Sequence, residues 1–339
     1  MIVFYGWAND PPLTQAIQAA RRTGANHHVV DQARLHRYDL VTRLPEGDGW
    51  LGVDGARIAL EDISAVYARP LYPPAHAKDP AEHARVAALH QEFVDWLDRA
   101  QALVVNRPRA MESNASKPYQ SQLIAAAGFL VPETLVTNDP DEVREFQARH
   151  GRVVYKSLSG VRSIVRELTP ADANGLDRVR RLPTQFQEFV PGTDVRVHVV
   201  GERTFAAQVD CAATDYRYAA RDGLSADLSP RELPADVSSR CVRLADELGL
   251  PFAGIDLKVR PDGAWVCFEA NPMPAYNYFQ DASGLPISTA LVDLLSHAPR
   301  QSGVTTNQVS NEPPLRLSPV GKRSSVPLVS ESRNTSPSR

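Results

Sequence analysis

The sequence predicts a mixed α/β and α+β protein: a small doubly wound N-terminal domain, a strand-rich α+β region, and a disordered C-terminal segment. Three observations carry this. Short apolar strand runs alternate with helical patterns through the first third of the 339 residues. Strand patterns dominate from Val153 onward, and the composition changes abruptly at Arg300.

Ile2 to Tyr5 is the first strand run. Pro11 to Arg22 follows as a helix, with Asp10 as its expected cap and Gly24 as its stop. His28-Val29-Val30 and Ser64 to Ala68 are the next strands. Between Asp79 and Ala100, apolar Val86, Leu89, Phe93, Trp96 and Leu97 recur on one helical face, with Asp79 and Pro80 as cap and first-turn proline. Ala102 to Val105 closes the N-terminal domain, expected over residues 1–109, as a strand.

The second region, expected over residues 110–299, opens with helices at Asn114 to Ala127 and Asp139 to Ala148. Strands then follow at Val153 to Lys156, Ser163 to Glu167, Gln185 to Val190, Val195 to Val200 and Thr204 to Val209. Ala235 to Leu248 reads as a helix closed by Gly249. Ala253 to Val259 and Ala264 to Ala270 flank Arg260-Pro261-Asp262-Gly263, whose turn chemistry predicts a hairpin. Ile287 to Ser296 is the final helix. Residues 300–339 hold six basic and two acidic residues, a net +4 that leaves −7 on the rest. They are too poor in apolar residues to offset the entropy of ordering, so a disordered tail is expected.

A net charge of −3 gives no general reason to expect nucleic acid or an anionic membrane as partner, so any anion site must come from a local cluster of Lys and Arg. Three scattered cysteines form no disulfide framework, and no run approaches the roughly 20 apolar residues that span a bilayer. A cytoplasmic protein is the expectation.

The strongest chemical signal is Gly254-Ile255-Asp256-Leu257-Lys258, followed by the hairpin and then Phe268-Glu269-Ala270-Asn271-Pro272. Strand alternation puts Glu269 and Asn271 on one face, and the hairpin brings Asp256 alongside. Hard oxygen donors, few in number, suit Mg²⁺ with phosphates completing the octahedron. A half-solvated hairpin with ordinary polar residues fits the same short pattern. Lys117 opens a helix and Lys156 ends a strand before the small-residue loop Ser157 to Ser163, a candidate lid. Ammonium groups at such places suit polyphosphate oxygens. In Gln187-Glu188-Phe189-Val190-Pro191-Gly192-Thr193-Asp194-Val195-Arg196, backbone groups near Glu188-Phe189 suit an adenine edge and Asp194 a ribose hydroxyl. Arg217, in a polar loop, suits a transferring phosphoryl group.

Taken in order, Lys117, Lys156, Gln187 to Val190, Asp194-x-Arg196, Arg217, Asp256 and Glu269-x-Asn271 resemble the ATP-grasp superfamily in its RimK-like branch. The stretch Gly128 to Pro140, the Gly254 to Lys258 phrase and Ser283-Gly284-Leu285-Pro286-Ile287 look most like the graspetide, or microviridin-type, peptide maturases. Ala65-Val66-Tyr67-Ala68-Arg69-Pro70 is similar to their pre-ATP-grasp domain. The resemblance implies a pre-ATP-grasp domain followed by a two-lobed ATP-grasp fold. It implies ATP and Mg²⁺ (or Mn²⁺) in the cleft, with Lys117 and Lys156 on the phosphates. Glu188, Phe189 and Val190 would then form the adenine hinge, with Asp194 by the ribose. Asp256, Glu269 and Asn271 would be the metal ligands, and Arg196 and Arg217 the catalytic arginines. The run Pro272-Met273-Pro274-Ala275-Tyr276 departs from the usual glycine-containing turn, so a remodelled acceptor side is expected.

The activity implied is carboxylate activation as an acyl phosphate and ligation to an amine or hydroxyl, on a precursor peptide. The alternatives are an amino-acid or dipeptide ligase of glutathione-synthetase type and a nucleotide-binding module without turnover. The resemblance also allows a homodimer.

Overall fold

The computed structural model describes residues 1–71, 79–156, 165–173, 175–211 and 225–298. Arg217, the Ser157 to Ser163 loop and the tail from residue 300 lie outside the described residues.

β1 (Ile2–Gly6) is buried along its whole length because a helix covers each face of its sheet. α1 (Pro11–Thr23) begins at two prolines and ends where Gly24 takes φ 71°, a left-handed turn open to a residue without Cβ. Asp10, expected as its side-chain cap, makes no capping bond. β2 (His27–Asp31) runs parallel to β1. β3 (Asp39–Thr42), β4 (Gly49–Val53) and β5 (Ala56–Ala59) form a separate antiparallel sheet. The sequence reading missed it, since these strands are short and interrupted by glycine and charge. β6 (Ala65–Arg69), α2 (Pro80–Arg99) and β7 (Leu103–Val105) complete this part of the chain, and Asp79 caps α2 through the Glu82 amide as expected.

The parallel order is β2-β1-β6-β7. Alternation along β1 sends Ile2 and Phe4 toward Leu13, Ala16 and Ile17 of α1. Val3 and Tyr5 face Val86, Phe93 and Leu97 of α2.

The chain continues through α3 (Pro108–Met111), α4 (Lys117–Ala126), β8 (Thr134–Thr137), α5 (Pro140–His150), β9 (Val153–Lys156), β10 (Arg166–Glu167), α6 (Pro170–Ala173) and β11 (Thr184–Glu188). Their antiparallel sheet has the order β10-β9-β11-β8, and Val143 and Phe146 of α5 pack on Val153, Leu168 and Phe186.

β12 (Thr193–Val200), β13 (Arg203–Cys211), β14 (Ala226–Pro230), α7 (Ala235–Glu247), β15 (Phe252–Val259), β16 (Trp265–Asn271), α8 (Asn277–Ser283) and α9 (Ile287–Ser296) follow. The five strands lie antiparallel in the order β14-β13-β12-β15-β16. One face carries Val195, Val197, Ile255 and Leu257 against Val237, Cys241 and Leu244 of α7. The opposite face is therefore left for Asp194, Arg196 and Asp256. Val200, Phe252, Tyr276 and Leu291 join the core of the N-terminal sheet, so Met1–Gln301 is one unit. Among the described residues no helix is long and apolar enough to cross a membrane.

Candidate active site

The polar face of the five-stranded sheet is organised in rows that cross its strands. Arg196, Asp256 and Glu269 are direct cross-strand neighbours on β12, β15 and β16. In the adjacent row stand His198, Gly254 and Asn271. Asp194 pairs with Lys258 on the other side.

A bulge makes this arrangement workable. Asp256 opposes Glu269 but Leu257 opposes Cys267, which leaves Phe268 as an extra residue. With strict alternation Cys267 and Glu269 would share a face. The inserted residue instead keeps Cys267 in the apolar core and turns Glu269 toward the cleft.

Two carboxylates facing each other across a ladder repel. Here each has its own cation. Arg196 Nη1 donates to Asp256 Oδ1 at 2.5 Å, and Lys117 Nζ lies 2.5 Å from Glu269 Oε1. Burial pushes the Glu269 carboxyl up, but Lys117, followed by Arg196 and Lys156, more than offsets it and holds the group below its usual range. Lys156, at the end of β9, is thus among the cations that act on Glu269.

Lys117 is placed by its own helix. It is the first residue of α4, with Nζ also donating to Asn114 Oδ1 at 2.9 Å. One turn on, Gln120 clamps the backbone of β16. Its Nε2 donates to the Ala270 carbonyl at 2.8 Å and its Oε1 accepts from the Ala270 amide at 3.2 Å. Residues three apart share a helix face, so this clamp aims Lys117 at Glu269. Gly254 is required by close approach: a Cβ there would lie 2.0 Å from Arg196 Nη2 and 2.8 Å from Pro274 Cβ.

At the expected hinge, the N–H of Glu188 donates to the Glu133 carbonyl and that of Phe189 to the Arg152 carbonyl, both at 3.0 Å. Glu188 Oε1 accepts from the Glu133 amide at 3.0 Å. Any bond from this stretch to a base edge must therefore use its carbonyls or the backbone of Val190, which is itself buried. Arg152 lies 3.5 Å over the Phe189 ring. Lys258, not singled out from sequence, sits 3.3 Å from Asp194 Oδ1 and 6.0 Å from the Phe189 and Phe268 rings. Its signal was available: it alternates with Asp256 on one strand and so faces the same cleft.

The structure thus brings together Lys117, Lys156, Arg196, Asp256, Glu269 and Asn271, with Asp194 and the hinge alongside. Among the described residues no three His, Cys, Asp or Glu side chains form a metal cage. Two carboxylates and one amide oxygen on one sheet face, partly open to solvent, fit a Mg²⁺ that takes its other ligands from phosphate and water. A second concavity, beside α7 and lined by Gly201, Ser238, Val242, Arg243 and Leu250, shares no residue with this cluster.

No family model matches the chain. It is 28% identical over 211 residues to beta-citrylglutamate synthase B of Danio rerio, covering 59% of this chain and 52% of that protein. It is 30% identical over 193 residues to a probable alpha-L-glutamate ligase of Xanthomonas oryzae, covering 53% and 64%. The matched stretches span about half to two thirds of these relatives. Among solved structures, the ATP-grasp ligase PsnB, complexed with a phosphomimetic variant of minimal precursor, Mg and ADP, superposes with a TM-score of 0.73 at 28% identity. That match covers 87% of this chain and 97% of PsnB. Sequence likeness to glutamate ligases and a fold shared with PsnB make this chain similar to the ATP-grasp ligases, in keeping with their RimK-like branch.

Proposed function

We propose that this protein is an ATP-dependent ligase that phosphorylates a carboxylate and joins it to an amine or hydroxyl, and that its substrate is a peptide. The observation that carries the reading is the row Arg196–Asp256–Glu269 with Lys117 at its end and Lys156 opposite. Three cations around two opposed carboxylates match a metal–polyphosphate: the carboxylates hold the metal, the cations the phosphate oxygens.

Condensing a carboxylate with a nucleophile fails in water because hydroxide is a poor leaving group. Phosphorylation supplies a better one, with the charge of the transferring group spread over its oxygens. Lys117 and Lys156 would hold the phosphates in line, and Arg196 would lie beside the reacting group at the sheet centre. Asp256, Glu269 and Asn271 would hold Mg²⁺, which when bound neutralises phosphate charge. Arg217 is assigned the same phosphoryl contact from sequence alone. The adenine would rest against Phe189 and Val190 beside Glu188, and the ribose by Asp194, whose carboxylate Lys258 steadies.

The peptide reading is supported by the extent of the PsnB match, nearly the whole of that chain. The curated relatives, named for glutamate-containing products, favour a small acceptor as second reading. Mass spectrometry separates them. Incubated with ATP, Mg²⁺ and a candidate precursor peptide, the enzyme should remove one water per bond formed. Phosphate release triggered by free amino acids, with no peptide losing water, would establish the small-molecule reading instead.

A further inference from the structure

The run Pro272-Met273-Pro274-Ala275-Tyr276 follows the last residue of β16, and its burial alternates. Pro272, Pro274 and Tyr276 are buried, Met273 is half-buried and Ala275 exposed. The buried positions point into the N-terminal domain, which pins them one by one. Asn106 Nδ2 donates to the Pro272 carbonyl at 2.5 Å and also bonds the Phe252 backbone on β15. Arg69 Nη1 donates to the Pro274 carbonyl at 3.1 Å, while its Nε donates to Asp10 Oδ2 at 2.5 Å. Tyr276 Oη donates to the Pro12 carbonyl at 2.6 Å. Arg69 and Asn106 are themselves buried.

Between the two prolines lies the single N–H that Pro272–Pro274 possesses, that of Met273. It donates to Asn271 Oδ1 at 2.8 Å. The orientation of the Asn271 amide is therefore set by Met273, and the place of Met273 by the two carbonyls that Asn106 and Arg69 hold. An amide oxygen has two lone pairs, so one remains for a ligand.

We propose that Arg69, seconded by Asn106, is a positioning residue of the N-terminal domain that aims Asn271 into the metal–nucleotide cleft. The inference rests on the reading of Asn271 as a metal ligand. It gives the N-terminal domain a part in the chemistry, through a strap whose prolines leave only one direction in which to pass the constraint. Outer-layer partners of metal ligands typically govern metal affinity by about 10–100-fold.

The test is the Mg²⁺ requirement for binding a non-hydrolysable ATP analogue to the full-length protein, followed by calorimetry without acceptor substrate. Arg69→Met should raise the half-saturating Mg²⁺ concentration about 10-fold, with analogue affinity at saturating Mg²⁺ nearly unchanged. Arg69→Lys, which can still meet both Asp10 and the Pro274 carbonyl, should recover much of the loss. Tyr276→Phe removes one pin without stranding a charge and should shift the requirement the same way by less. A folded Arg69→Met with the wild-type Mg²⁺ requirement overturns the inference. Should that variant fail to fold, an unshifted, folded Tyr276→Phe overturns it equally. Wild-type protein that binds the analogue without any dependence on Mg²⁺ overturns the reading of the cleft first, and this inference with it.

Discussion

Replacing Gly254 by alanine puts a methyl group where the Arg196 guanidinium now lies. The new Cβ would sit 2.0 Å from Nη2 and 2.6 Å from Cζ of Arg196, with Pro274 Cβ at 2.8 Å behind it. Restoring an ordinary 3.4 Å contact means moving Nη2 from 2.0 to 3.4 Å, a shift of about 1.4 Å. The side chain is only 7% exposed, so it has little room to swing clear. Its 2.5 Å bond to Asp256 is then lost or badly bent. Overpacking of this kind costs about 1–3 kcal/mol, read as a fall of several degrees in Tm. A displacement of about 1 Å in a catalytic group costs on the order of 100-fold in rate, so kcat should fall by about that factor. Analogue affinity should fall less, because Lys117 and Lys156 are untouched. The assays are thermal unfolding, analogue binding and ATP-dependent water loss from the peptide. Wild-type turnover in Gly254→Ala would refute the assignment of Arg196, whatever happened to Tm.

Three more predictions follow from the same geometry. Glu269→Ala should abolish ATP-dependent ligation while circular dichroism shows an unchanged fold, and undiminished product would remove the metal assignment. Lys117→Met strands a carboxylate that is 20% exposed; breaking fully buried pairs costs roughly 3–5 kcal/mol, and with Arg196 and Lys156 still near, about 2 kcal/mol is expected at neutral pH. Glu269 has a lowered folded-state pKa, so its contribution is complete above the ordinary glutamate value of 4.5 and is lost as pH falls through the lower folded value. The gap between wild type and Lys117→Met in denaturant titrations should accordingly close in acid, and a gap that widens would contradict this. His198 is fully buried with no hydrogen-bond partner at either ring nitrogen among the described residues, and burial, then Arg196, pushes its pKa well below 6.5. The unfolded chain alone takes up that proton, so wild type should lose about 1.4 kcal/mol per pH unit below 6.5 on this account. His198→Leu should flatten that part of the stability curve, and an unchanged slope would show that His198 is not responsible.

Much of the site was legible because its residues stand where local rules put them. Period-2 alternation set Glu269 beside Asn271, and the Pro-Asp-Gly turn predicted the hairpin that delivers Asp256 to them. The final helix, Ile287–Ser296, has the expected bounds because its apolar spacing is unbroken. Elements without such a pattern escaped notice. β8, β14, α8 and the small β3-β4-β5 sheet are short, and nothing in their local sequence separates them from loop. Asp10 shows the opposite failure. Its position one residue before a helix suggested a cap, but the buried Arg69 offers a stronger, charged partner.

The sequence by itself determined the chemistry: which residues are cations, which carry hard oxygens, and which strand faces they share. Those are properties of side-chain type and of a backbone repeat that acts over a few residues. Only the tertiary structure decided who neutralises whom. That Arg196 meets Asp256, that Lys117 reaches Glu269 across 152 positions of chain, and that Arg69 holds the strap after Asn271 all depend on strand register, one bulged residue and the docking of α4 on β16. Such contacts arise from packing between elements distant in sequence, where no local pattern specifies the partner.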